Sequence, residues 1–199
     1  MKKILKFLGI FLLSIIAILL LVIAYIKIVL PDVGPAPQLT VEHTSARLAR
    51  GSYLANSVMV CMDCHSQRNP ALFSLPMEES TRGGGGQRFD QTMGFPGIFY
   101  SANITPFGIG NWTDGEIYRA ITTGVRKSGK PIFPVMPYHS YGFADSEDVR
   151  SLIVYIRSLA PRENVVPVST ADFPMNIILN TIPWKAQPMK IPSTGDSLA

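Results

Sequence analysis

The chain has 199 residues, 47% of them hydrophobic, and a formal net charge of +4. Four of its eighteen Lys and Arg residues lie at positions 2, 3, 6 and 27, which leaves fourteen basic and fourteen acidic residues in the remainder. A nucleic-acid-binding domain needs a basic stripe on its own surface, so this neutral remainder argues against nucleic acid as a partner.

The chain begins with an apolar segment. Residues 7–26 contain no charged side chain, and a helix of this length spans roughly 30 Å, the hydrocarbon thickness of a bilayer. A cleaved signal peptide would have a shorter apolar region followed by a small-residue cleavage site, which residues 27–31 do not offer. We therefore predict a retained single-pass anchor over residues 1–30 in the lipid bilayer of the cytoplasmic (inner) membrane. The basic residues before the segment predict an N-terminus inside and a periplasmic or outer location for the rest.

The remaining chain divides into three predicted parts. Residues 31–43 are proline-rich and predict an extended tether, whereas residues 44–161 predict one domain of helices and loops without sustained strands. Within that domain, the four glycines at 83–86 lack the Gly-Lys-Ser/Thr of a phosphate cradle, which predicts a flexible or close-packed loop. Residues 162–199 predict a tail that packs on its own domain, with a partner-binding strap as the alternative.

Three helices are predicted in the domain. Apolar residues recur at helical spacing over residues 47–60, so the first helix delivers the chain to the cysteines. The second begins at a capping box on Thr113 and ends at Gly124. The third begins after Asp145, has acidic residues in its first turn, and stops at Pro161.

The two cysteines of the chain lie in the stretch VCMDCHSQ. A closed zinc site needs four ligands, and the other histidines, His43 and His139, do not form a ligand pair. A thioredoxin-like thiol pair belongs in a βαβ frame, which the surrounding pattern lacks. Cys-x-x-Cys-His is instead typical of covalent haem attachment. We therefore predict one haem c, bound through thioethers to Cys61 and Cys64, with His65 as an axial ligand of the iron.

A second axial ligand is predicted at Met136. Methionine opposite histidine raises the potential of a haem and suits an electron carrier. Met136 lies in a proline-stiffened loop, so its thioether can be held toward the iron at a small entropic cost. The predicted metal ligands are therefore His65 and Met136, with His139 as the alternative to the methionine.

Three segments carry a resemblance to a known family: YLANSVMVCMDCHSQR, YSANITPFGIGNWTDGEIYRAITTGV and PVMPYHSYGFADSEDVRSLIVYIRSLAP. The chain resembles membrane-anchored class I c-type cytochromes, and most closely the cytochrome c domains of membrane-bound alcohol and gluconate dehydrogenase complexes. Those subunits carry several such domains in tandem, whereas this chain has one haem motif. The resemblance implies an all-α cytochrome c fold after a single N-terminal transmembrane helix, with the first and last domain helices crossing at one haem edge. It also implies a haem pocket lined by five further residues: Asn103, Ile104, Thr105, Pro106 and Trp112.

These features predict an electron carrier rather than an enzyme. The predicted partners, besides the bilayer, are redox proteins of a respiratory chain: a dehydrogenase, a quinol-oxidising complex or a terminal oxidase. The alternative is a haem enzyme or sensor with an open sixth position that acts on a small ligand such as peroxide. That alternative requires that Met136 does not bind the iron.

Overall fold

The structure is a computed structural model that describes residues 2–189. Its first element, α1, spans Lys2–Ile28, and none of its side chains is buried. In the described part of the chain, α1 is the one helix long and apolar enough to cross a membrane. The predicted anchor segment is therefore one continuous helix. The end of the predicted tail, residues 190–199, lies outside the described residues.

Helices make up most of the regular structure in residues 44–189. Its helices are α2 (Ser45–Tyr53), α3 (Cys61–Cys64), α4 (Pro106–Ile109), α5 (Asp114–Thr123), α6 (Tyr138–Tyr141), α7 (Ser146–Ser158) and α8 (Met175–Ile178). Its strands are β1 (Arg88–Phe89), β2 (Gly97–Tyr100) and β3 (Thr170–Ala171). The three predicted helices correspond to α2 with the π-helical turn after it, α5 and α7. The capping box of α5 is confirmed, because Thr113 and Glu116 each accept the backbone N–H of the other.

The domain is organised around the crossing of α2 and α7, which pack more extensively than any other pair of described elements. Gly51 makes this crossing possible, because a Cβ atom there would lie 2.0 Å from the carbonyl oxygen of Ser151. At one end of the crossing, Arg50 Nε and a carboxylate oxygen of Asp148 are 2.8 Å apart. The close approach brings the helix that precedes the cysteines directly against α7.

The apolar core forms two clusters that share α7. Leu152 and Ile153 are adjacent on this helix and are 1% and 0% exposed, respectively. Leu152 packs with residues of the π-helical turn after α2 and of the cysteine turn, whereas Ile153 packs with residues of α5. Ile104 and Tyr141 contact both clusters. α7 therefore joins the two clusters of the core, so a shift of this helix would disturb the packing of both.

A small antiparallel sheet, in the order β1-β2-β3, lies beside the helices. Phe89 of β1 pairs with Phe99 of β2, and Ile98 of β2 pairs with Thr170 of β3. Helices are the main elements of the domain, in line with the predicted fold class, but the domain also contains this small sheet, which the sequence pattern did not predict. Strands of two to four residues are too short to show an alternating pattern in the sequence.

The described part of the tail runs back along the domain. The side-chain amide of Asn103 donates to the carbonyl oxygens of Arg162, at 2.8 Å, and Asn164, at 3.1 Å. The tail then contributes β3 and, near residue 189, donates backbone hydrogen bonds to the carbonyls of Gly142 and Phe143. The division of the chain at residues 43 and 161 remains a prediction.

Candidate cofactor site

A cavity of about 460 Å³ opens between the helices and the small sheet. This volume lies within the usual range of sites for small molecules and cofactors. Six of the predicted site residues line it: Cys61, Cys64, His65, Ile104, Trp112 and Met136. Most of the remaining wall is aliphatic or aromatic, and none of the Asp and Glu residues within 2–189 lines it. The fold therefore brings together residues from three separate sequence segments around one apolar space.

The cysteine turn is prepared by an unusual stretch of backbone. After α2, the backbone N–H of Met59 donates to the carbonyl of Leu54, which widens the helix by one residue. Val60 then has a φ of 45°, in the left-handed region that a β-branched residue rarely adopts. This reversal starts α3, in which Cys61 and Cys64 are three residues apart and so lie on the same helical face. Backbone strain of this kind is commonly held at functional sites.

The two thiols do not have the environment of a redox pair. No disulfide joins Cys61 and Cys64. Burial raises the pKa of the Cys61 thiol to about 11, and burial also raises the pKa of Cys64. Reactive thiols in oxidoreductases have a lowered pKa, because the thiolate is the nucleophile. Thiols of this kind suit covalent attachment of a cofactor better than disulfide exchange.

His65 presents one ring nitrogen to the cavity by fixing the other. Its Nδ1 donates a hydrogen bond of 2.7 Å to the carbonyl oxygen of Ala102, which leaves Nε2 unprotonated in the neutral ring. Burial lowers the pKa of His65 and so favours the neutral ring. Metal-binding histidines typically have this second hydrogen bond, because it fixes the tautomer and the ring plane. His65 could therefore bind a metal through Nε2.

The glycine-rich segment supports the same histidine. The N–H of Gly85 donates to the carbonyl of His65, at 2.9 Å. Gly85 has a φ of +68°, and a Cβ atom there would lie 2.4 Å from the carbonyl carbon of Ala102. Of the two loop types predicted for residues 83–86, the structure shows the close-packed one. This segment holds the chain of His65 against the carbonyl group that orients its ring.

Met136 reaches the cavity from a turn between α5 and α6. The backbone N–H of Met136 donates to Phe133, and that of Tyr138 donates to Met136. The Phe133 ring stacks on Phe99 of β2, with ring centroids 4.0 Å apart, which ties the turn to the sheet. The turn that carries Met136 is therefore held both by this contact with the sheet and by the prolines on either side of the methionine.

The alternative ligand, His139, lies outside the residues that line the cavity. Its Nε2 is 3.2 Å from the carbonyl oxygen of Ile182, and its ring is 4.1 Å from the ring of Trp184. His139 therefore contacts the tail.

The segment 103–106 contributes to the cavity mainly through Ile104, which lines it. Asn103 and Thr105 are buried, and both the N–H and the hydroxyl of Thr105 donate to the Asn103 side chain. Asn103, Thr105 and Pro106 are not among the lining residues. Asn103 and Thr105 instead connect this segment to the tail, because the Asn103 amide donates to the carbonyls of residues 162 and 164 and the Thr105 hydroxyl accepts the backbone N–H of residue 162.

Among the lining residues that sequence reasoning missed, three carry hydrogen-bonding or charged groups of interest: Tyr141, Arg126 and Lys130. Tyr141 lines it and donates its hydroxyl to the carbonyl of Met59, at 2.7 Å. Arg126 and Lys130 also line it, from the turn after α5. The sequence VRKSGKP has a Ser-Gly turn signal with basic residues on both sides, and this pattern could have predicted a turn that presents Arg126 and Lys130.

Comparisons with known proteins identify the class of the cofactor. No protein-family model matches the chain. The chain is 33% identical to the fructose dehydrogenase cytochrome subunit of Gluconobacter japonicus, over 69% of this chain and 26% of that subunit. It is 31% identical to the gluconate 2-dehydrogenase cytochrome c subunit of Pantoea cypripedii, over 72% of this chain and 28% of that subunit. It is 30% identical to the cytochrome c subunit of the quinone alcohol dehydrogenase of Gluconacetobacter polyoxogenes, over 70% of this chain and 26% of that subunit.

The matched region thus spans about a quarter of the length of these relatives. Homology to cytochrome c subunits implies haem c as the cofactor. The cavity with its cysteine pair and oriented histidine fits such a group. The chain is a homologue of the cytochrome c subunits of fructose, gluconate and alcohol dehydrogenases.

Proposed function

We propose that this chain is a membrane-tethered electron carrier with one covalent haem c and His/Met ligation of the iron. The observation that carries the proposal is that Cys61, Cys64, His65 and Met136 all line one apolar cavity. In this proposal, the cysteines form the thioethers, while Nε2 of His65 and the sulfur of Met136 bind the iron. A haem held by these residues would supply one-electron redox chemistry.

The residues around the cavity would then adjust the potential rather than perform chemistry. The apolar wall limits access of water, and the hydrogen bond from His65 to Ala102 strengthens the imidazole as a ligand. If His65 and Met136 both bind the iron, no coordination position would remain for a substrate. The chain is accordingly proposed to be an electron-transfer component and not itself a catalyst.

The apolar helix α1 supports a location at the cytoplasmic membrane. Basic residues precede its apolar segment, so we place the N-terminus inside and the haem domain on the periplasmic side. Tethering raises the effective concentration of the domain near membrane partners. Because the relatives are dehydrogenase subunits, a membrane dehydrogenase is the proposed electron donor. A quinol-oxidising complex is the other proposed donor, and a terminal oxidase is a proposed acceptor.

The test is spectroscopic, on the full chain produced with haem maturation and kept in detergent. A pyridine haemochrome assay and the intact mass should give one haem per chain. The ferric protein should show the sulfur–iron charge-transfer band at the red edge of its spectrum. Met136→Ala should abolish that band, lower the potential and open the iron to added ligands, whereas Met93→Ala, at a side chain 58% exposed, should change none of these properties. Absence of the band in the wild-type protein would contradict the carrier and favour a haem enzyme or sensor.

A further inference from the structure

The turn between α5 and the Met136 loop places two cations at the cavity. Val125 and Pro131 form an antiparallel bridge, and the N–H of Arg126 donates to the carbonyl of Lys130, at 3.0 Å. Gly129, with a φ of +80°, closes the turn by donating to Arg126. Residues 126 and 130 are therefore opposite each other across the turn, and both line the cavity.

Neither cation has an acidic partner among residues 2–189. The guanidinium of Arg126 makes no hydrogen bond or ion pair with the described residues, and burial lowers the pKa of Arg126. The intervening Lys127 differs, because its ammonium lies 3.3 Å from Glu116 and donates to the carbonyl of Asn111. A partly buried cation without a partner, such as Arg126, is costly unless an anion binds there, and the exposed Lys130 adds a second positive charge at the same turn. The arrangement indicates an anionic ligand with more than one acceptor.

We infer that Arg126 and Lys130 form a clamp for the two propionate carboxylates of the haem. This inference rests on the proposed function, since it concerns the same cavity. Arginine suits the role, because its planar guanidinium donates two parallel hydrogen bonds to one carboxylate. The clamp orients the haem within an otherwise apolar wall and keeps its propionates ionised.

The clamp has a measurable consequence for the potential. A cation within about 4–6 Å lowers a carboxylate pKa by roughly one to three units. Removing one cation therefore raises the propionate pKa toward neutrality. An ionised propionate stabilises ferric more than ferrous iron, so the potential falls as pH rises through that pKa. A clamped haem should have a nearly constant potential near neutral pH, and an unclamped haem a sloping one.

Other titratable groups at the cavity do not give the same signal. Those lining the cavity are Cys61, Cys64, His65, Tyr100 and Tyr141. Haem attachment occupies the first three, which leaves two phenols. On the elements packed against the turn, the neighbouring charges are Glu116, Arg119 and Lys127, and the guanidinium of Arg119 donates to the backbone of the turn.

The experiment measures midpoint potential against pH, from about pH 5 to pH 8, in the full-length haem-loaded protein. Arg126→Gln and Lys130→Gln should each introduce a slope that the wild type lacks, whereas Arg126→Lys should keep much of the flat profile. Lys127→Gln is the matched control, because it removes one charge from the same turn at a residue outside the cavity wall. If Arg126→Gln does not fold or does not bind haem, the Lys130→Gln variant still tests the clamp, because Lys130 is exposed and its replacement should not disturb folding.

Two results separate this inference from the proposed function. Wild-type protein without covalent haem in the haemochrome assay would overturn the proposed function. Haem-loaded Arg126→Gln and Lys130→Gln variants with the same potential as Lys127→Gln at every pH would overturn the clamp alone. A slope present only in the two cavity variants would support the clamp.

Discussion

Gly51 lies where α2 crosses α7, and the crossing leaves no room for a methyl group. The Cβ atom of an alanine there would lie 2.0 Å from the carbonyl oxygen of Ser151 and 2.9 Å from Cβ of Tyr155. Ordinary contacts between heavy atoms need about 3.5 Å, so the two helices would have to separate by on the order of 1 Å. The blocking atom belongs to the backbone of α7, which cannot move aside as a side chain could.

The expected cost of Gly51→Ala follows from two opposing effects. Overpacking costs about 1–3 kcal/mol, and alanine recovers about 1 kcal/mol through its higher helix propensity. Because the blocking atom belongs to the backbone, we take the upper end of the overpacking range, about 3 kcal/mol, and expect a net loss of about 2 kcal/mol in the free energy of unfolding. The separation also widens the cavity, because α2 leads to Cys61 and α7 carries Leu152, which both line it. The sulfur–iron band should consequently weaken in the variant.

Guanidinium unfolding of the haem-loaded protein measures this effect, with the spectrum recorded on the same samples. Ser52→Ala, on the next residue of α2, is the control and should stay within about 0.5 kcal/mol of the wild type. Gly51→Ala protein as stable as the wild type, or more stable, would refute the close crossing. Helix propensity alone predicts that opposite result.

Two further changes test the hydrogen bonds around the cavity. Tyr141→Phe removes the bond to the Met59 carbonyl and should lower the free energy of unfolding by about 1 kcal/mol, measured by denaturant titration; an unchanged midpoint would show that the bond contributes nothing. Gly85→Ala should displace the Ala102 carbonyl that accepts the His65 hydrogen bond. The imidazole then donates less electron density to the iron, so the haem potential measured by redox titration should rise. Gly94→Ala is the control, because Gly94 also has a positive φ (+82°) but nothing within 4 Å of an added Cβ; equal potentials in the two variants would contradict the role of Gly85.

Much of the helical framework could be predicted, because its signals are local. The capping box at Thr113 and the acidic first turn of α7 each lie within a few residues of the helix that they start. The widened turn after α2 was not predictable, since a π-helical turn has no sequence pattern separate from that of an α-helix. The sheet was missed for a different reason. Its third strand, Thr170–Ala171, belongs to the tail, and its pairing with β2 depends on the path that the tail takes over the folded domain.

The candidate site divides in the same way. Covalent haem attachment needs two thiols and an imidazole within five residues, so the sequence alone determined the roles predicted for Cys61, Cys64 and His65. The apolar composition of residues 7–26 likewise determined the anchor helix. Tertiary structure decided which carbonyl orients the histidine, 37 residues farther along the chain. It also decided that His139 faces the tail and that Arg126 and Lys130 face the cavity. These outcomes depend on segments that are distant in sequence, and only the packing of the folded chain brings them together.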